Sequence, residues 1–428
     1  MPRVAYPVNR ATLDNGLRVV LSPDRGSGVV GISVHVDVGF RSEPVGRTGF
    51  AHLFEHLMFQ GSESLPKLEH FRVVQSSGGT FNGSTHFDYT EYHELLPAGA
   101  LERGLFLEAD RFRAPAITAE NLANQVDVVS EEIRLNVLNR PYGGFPWIYL
   151  PPVLFDTFAN SHNGYGDFAD LTAATVDDCA DFFERYYCPA NSVLTVCGDI
   201  DIDETMNLIH RHFDDVPYRP APERPDFSEP APTSRKVAEH IDVQAPSPAL
   251  AVGWRLPDPV SDLRGYLAYL LLGAVLADGE AAPLQTELVN RQALATSAWA
   301  GPGLMGPLDS RDPDVFVLGA LHPLDIDADA VIDAARAIIE DMATHGPDAA
   351  QLQQAKARFT ASLLSECDSV MARTRNLGLF ELLHGRAELV GELPSIVDSL
   401  GAEDVARAAA ALDPDRCAVL RVVPGGQQ

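Results

Sequence analysis

The chain has 428 residues with 60 acidic against 32 basic side chains, a formal net charge of −28. So acidic a surface repels nucleic acid and makes a soluble, solvated protein the default reading. At 46% hydrophobic and 21% charged residues the composition is globular, and the length exceeds what one compact core serves, so two domains are expected.

Met1 to Gly16 contains no apolar stretch of signal-peptide length. The five cysteines, Cys179, Cys188, Cys197, Cys367 and Cys417, are odd in number and form no C-x-x-C pair, which fits free thiols in a reducing compartment. A cytoplasmic protein without a membrane partner is therefore expected; the longest apolar run, Leu267 to Ala277, is too short to span a bilayer.

In chain order, "VVGISVHVDVG" alternates Val30, Ile32, Val34, Val36 and Val38 with small or polar residues, the period of a half-buried strand. "GFAHLFEHLMFQGSE" follows. Residues four apart share one face of a helix, so His52 and His56 can point at a common spot that Glu55 borders. Two imidazoles and a carboxylate at that spacing suit a divalent metal and a water; an ordinary polar helix face is the bland reading.

Ser76 to Pro97 is rich in glycine and small polar residues and then alternates toward Tyr92, as an exposed edge strand does. Such an edge can accept an extended peptide by backbone pairing. Gly79, Thr80, Phe81 and Asn82 are the candidate contacts, with Asn82 placed to hydrogen-bond the peptide backbone.

Ile117 to Asn139 carries Leu122, Val126, Val129, Ile133 and Val137 at helical spacing. At about 100° per residue, Glu132 lies roughly 60° from Val129, on the flank of the buried stripe, while Glu131 faces solvent. Gln125 and Asn136 share Glu132's flank, so Glu132 is the candidate third ligand. Zinc held by His52, His56 and Glu132 would keep one position for water, and Glu55 could take that water's proton and pass it to a leaving amine.

Pro217 to Pro232 carries six prolines and divides the chain nearly in half. The expected organisation is a zinc-binding domain over 1–216, a linker over 217–235 and a similar domain without the metal motif over 236–428. Both halves open with strand-like text, continue into helices and close on proline followed by a short strand, Val193 onward and Val419 onward, which suggests duplication. The fold class is α+β, each domain an antiparallel-rich sheet with helices on one face.

Together these features resemble the M16 (pitrilysin-like) metallopeptidases, the inverted zincins, and in size the two-domain chains of mitochondrial processing peptidase type. The inverted motif reads His52-Leu53-Phe54-Glu55-His56. The likeness extends through "LDNGLRVVLSP", "GGTFNGSTHFDYTEY", "VVSEEIRLN" and "YYCPANSVLTVCGD". It implies that Glu132 is the third zinc ligand, in agreement with the helix geometry.

Two positions depart from that family. It usually places a glutamate beside the ligands seven residues before the third one; here that residue is Gln125. Its second domain carries an arginine and a tyrosine that bind the substrate carbonyl, and the matching stretch, Glu287 to Thr296, puts Val289 and Thr296 there. Arg291 has Ala298 seven residues later, so no shifted register restores the pair.

The resemblance then implies a zinc endopeptidase subunit for short or unfolded peptides, enclosed with a homologous subunit that supplies Arg and Tyr. A self-sufficient homodimer is the rival, and a non-catalytic scaffold subunit is the rival from another class.

Overall fold

The computed structural model describes residues 5–425. Eleven strands among them form two sheets. The first contains β1 (Asn9–Thr12), β2 (Arg18–Pro23), β3 (Val29–Val36), β4 (Thr80–Thr85), β5 (Thr90–Pro97) and β6 (Ser192–Gly198), in the order β1-β2-β6-β3-β5-β4. The second contains β7 (Lys236–Asp242), β8 (Ala249–Arg255), β9 (Ser297–Pro302), β10 (Val315–Leu321) and β11 (Ala418–Pro424), in the order β7-β11-β8-β10-β9.

Apart from β1, the two sheets repeat one plan. β2 and β6 run parallel, as do β7 and β11, and the other neighbours in both sheets are antiparallel. This is the α+β arrangement of two similar, antiparallel-rich sheets. Residues 217–235 between them carry neither helix nor strand, as six prolines require.

The alternation in β3 does what its period predicts. Val30, Ile32, Val34 and Val36 enter a core with the helix Leu101–Arg113 and the helix Phe50–Leu57. The other face of β3 is also covered, by a helix from the opposite half of the chain. Val370–His384 packs on β3 and β6, so closely that a Cβ on Gly378 would stand 2.6 Å from His35 Nδ1. In return, the short helix Pro151–Leu154 lies on the second sheet, where Leu150, Leu154 and Phe155 join Ala251, Val317 and Leu420.

The halves thus exchange a helix across the linker, and each sheet has its own helices on one face and a borrowed one on the other. Cutting at the linker would strip apolar cover from both sheets. The apolar run found in the sequence is the buried helix Leu263–Ala277. No helix among the described residues is long and apolar enough to cross a membrane.

Candidate active site

The helix Phe50–Leu57 is anchored at its start. Gly49 adopts φ 83°, and the Glu43 carboxylate accepts from the backbone N–H of Gly49 (2.8 Å) and Ala51 (2.7 Å). A carboxylate there satisfies orphan donors and complements the helix dipole. Leu53, Phe54 and Leu57 are buried, which turns His52 and His56 to the opposite side, toward the helix Ala119–Ile133.

That second helix is capped by Thr118, whose side chain accepts from Asn121 N–H, and buries Leu122, Val129 and Ile133. Its flank faces the histidines. Glu132 Oε2 lies 3.8 Å from His52 Nε2 and 3.5 Å from His56 Nε2. Gln125 Oε1 accepts from His56 Nδ1 at 3.3 Å. Glu131 points away, its side chain 59% exposed and paired with Arg134.

One ligand atom from each of His52, His56 and Glu132 lies within 4.8 Å of the others. The chemistry of this donor set fits a cation. Gln125 Nε2 donates to Asn124 Oδ1, which turns its amide oxygen toward His56 and puts the imidazole hydrogen on Nδ1. A neutral His56 then presents the Nε2 lone pair to a carboxylate oxygen, two electron-rich atoms face to face. Only a proton or a metal ion between them makes that favourable.

The charges respond accordingly. Burial, aided by His56, pulls His52 down to about 4. Hydrogen bonding from His56 pulls Glu132 down to about 2. For His56, burial works against the charged form, but Glu132 and Glu55 outweigh it and the pKa rises.

Glu55 is buried beside the histidines, and Thr85 of β4 donates to its Oε2 at 2.7 Å. Burial pushes this carboxyl up despite that hydrogen bond, the direction that suits a group accepting and returning a proton. Gly83 makes the close approach of β4 possible, since a Cβ there would stand 3.0 Å from Glu55 Oε1.

β4 is the open edge of its sheet, as its glycine-rich text predicts. The cleft between it and the two helices encloses about 630 Å³ and reaches Leu304 and Met305 of the second half. Of the four candidate peptide contacts, Asn82 lines this cleft, with its side chain accepting from the Gly83 N–H at 3.0 Å.

Gly79, Thr80 and Phe81 do not line the cleft. Phe81 packs on Phe59, His70 and Phe71, and a Cβ on Gly79 would strike Leu96. Gly79 and Phe81 thus face packed side chains, while Thr80 is exposed at the start of β4, away from the cleft. Gly83, Ser84 and Thr85 line the cleft alongside Asn82. Sequence reasoning also passes over Tyr165, which donates to Glu132 Oε1 at 3.0 Å, and Trp147 beside it. Neither carries a spacing signal, because both come from irregular chain far along the sequence.

Residues 18–140 match the family model described as insulinase (peptidase family M16), and residues 173–359 match the model described as peptidase M16 inactive domain. The chain belongs to the M16 peptidase family.

Among its relatives is the zinc protease PqqE of Helicobacter pylori, 27% identical over 84% of this chain and 80% of that protein. Another is the uncharacterized zinc protease YmxG of Bacillus subtilis, 24% identical over 98% and 99% of the two chains. Among solved structures, a protease from Helicobacter pylori superposes with TM-score 0.91 at 24% identity, over 98% of this M16 chain and all of that one. A Pseudomonas fluorescens structure described as peptidase M16 inactive domain gives TM-score 0.85 at 16% identity over 99% of each. These likenesses establish the fold.

Proposed function

We propose that this M16 protein is a zinc-dependent endopeptidase subunit in which His52, His56 and Glu132 hold the metal and Glu55 is the general acid–base. The observation that carries the reading is the convergence of the two Nε2 atoms and Glu132 Oε2, with the buried Glu55 alongside. When bound, zinc supplies a water of near-neutral pKa and polarises a carbonyl.

The chain's own residues do the rest. Gln125 fixes the His56 tautomer, and Thr85 orients Glu55 so that its Oε1 is free to take a proton and return it to the leaving amine. The open edge of β4, with Asn82 on it, aligns an extended peptide by backbone pairing. Unfolded or short peptides fit a cleft of this size; folded proteins do not.

The partner is a homologous chain supplying Arg and Tyr. Val289 packs against the second-half core and the Thr296 hydroxyl donates to Leu321 O at 3.2 Å; neither lines the cleft. A second copy would bring the same valine and threonine, so a homodimer gains no carbonyl-polarising donors, and this favours the heterodimer. Five cysteines, all buried and unpaired, support the cytoplasm as its compartment.

The test is metal content together with peptide cleavage. The purified chain should hold about one zinc, as single-metal sites do, and cleave unstructured peptides weakly until the Arg/Tyr-bearing chain is added. Robust cleavage by the chain alone at every concentration overturns the heterodimer, and a chain that takes up no zinc overturns the enzyme reading.

A further inference from the structure

The two oxygens of Glu132 do different work. Oε2 faces His52 and His56, whereas Oε1 accepts from the Tyr165 phenol at 3.0 Å. Asn136, one helical turn beyond Glu132, donates to the phenol oxygen at 3.4 Å, which leaves the phenol hydrogen for the carboxylate.

Tyr165 is held by the same element that carries the histidines. A Cβ on Gly49, at the start of the helix Phe50–Leu57, would stand 2.5 Å from Tyr165 O, and one on Gly166 would stand 2.3 Å from Thr48 O. Backbone therefore rests directly on backbone. The ring lies edge-on to His52, 5.1 Å between centroids, and Trp147 closes over it at 5.4 Å.

We propose that Tyr165 is a positioning residue that makes Glu132 a one-oxygen ligand. The inference rests on the zinc reading above and deepens it. A carboxylate can bind a cation through one oxygen or both. A donor on the second oxygen stabilises charge there and resists its transfer to the metal. With Oε1 held, the position that a second carboxylate oxygen would fill stays open for water.

Cobalt(II) in place of zinc tests this in Tyr165→Phe, which keeps the ring on His52 and removes only the hydroxyl. Four-coordinate cobalt gives strong visible bands and higher coordination gives weak ones. The wild type should show strong bands and Tyr165→Phe weaker ones, with zinc affinity, measured by chelator competition, reduced about 10–100-fold. Bands and affinity both unchanged overturn the proposal. Reduced affinity with unchanged bands also overturns it, since the phenol would then merely prop the site.

If Tyr165→Phe does not fold, Tyr165→Met fills the ring's space without a donor and should weaken the bands in the same direction. Unchanged bands there overturn the proposal. A wild type that binds neither metal fails at the earlier step and overturns the zinc reading itself.

Discussion

Among the described residues, two groups of three histidine and glutamate side chains bring their ligand atoms within 4.8 Å of one another, both in the first half, and they are opposites. His52, His56 and Glu132 line a cleft, with side chains 13%, 21% and 30% exposed. His70, Glu94 and Glu108 are sealed in the core beside Arg111, which donates to both oxygens of Glu108 at 2.5 and 2.6 Å and lies over Tyr92.

The buried group carries two carboxylates and one guanidinium, so a single proton neutralises it. A dication would leave surplus positive charge where no water can reach it. Burial pushes Glu94 and Glu108 up to about 7 and pulls His70 down to about 3. The proton therefore belongs on a carboxyl, and Glu94 can donate it to His70 Nε2, 2.9 Å away. Closeness of ligand types is thus insufficient; net charge and access separate a metal site from a buried proton.

The largest expected effect comes from chemistry in the cleft. Glu55→Gln should lower turnover in the assembled enzyme by about 10²–10⁴ while leaving zinc in place. Unchanged turnover would make Glu55 structural.

Next is the metal count. Glu132→Gln should lose zinc, whereas Glu94→Gln should keep the same single equivalent as the wild type. A second zinc that disappears with Glu94 would erase the distinction between the two clusters.

The buried cluster should instead register in stability against pH. The folded pKa of Glu94 lies above its unfolded value, so its contribution is fully present below about 4.5 and is lost as pH rises through about 7. Glu94→Gln cannot titrate. The stability gap between wild type and Glu94→Gln, followed by urea unfolding, should shift against the wild type across that window by on the order of 1–3 kcal/mol. A gap independent of pH would remove the shared proton. Smallest of all, Glu131→Gln should change neither zinc content nor turnover, since Glu131 pairs only with Arg134 on the surface.

Much of the cleft was legible because helices convert spacing into direction. His52 and His56 are one turn apart, and Gln125, Glu132 and Asn136 share a flank; the fold brings the first four together and leaves Asn136 exposed beside Tyr165. The strand period of Val30 to Val36 and the buried helix after Asp262 were legible for the same reason. Composition marks β4 as an edge strand without saying which of its residues face the cleft: Asn82 lines it, while Gly79, Thr80 and Phe81 lie outside it.

Local order, then, came from the sequence by itself: which residues are helical, which side of each helix is apolar, and which polar groups stand on the remaining side. Backbone periodicity is a short-range property, so it survives in one dimension. The tertiary structure alone decided which groups from distant segments meet. It placed Tyr165 on Glu132 and Thr85 on Glu55, laid Val370–His384 across the first sheet, and put Arg111 beside Glu94. Those contacts depend on how whole elements pack, and packing is settled by the shape and charge of surfaces that no stretch of sequence contains.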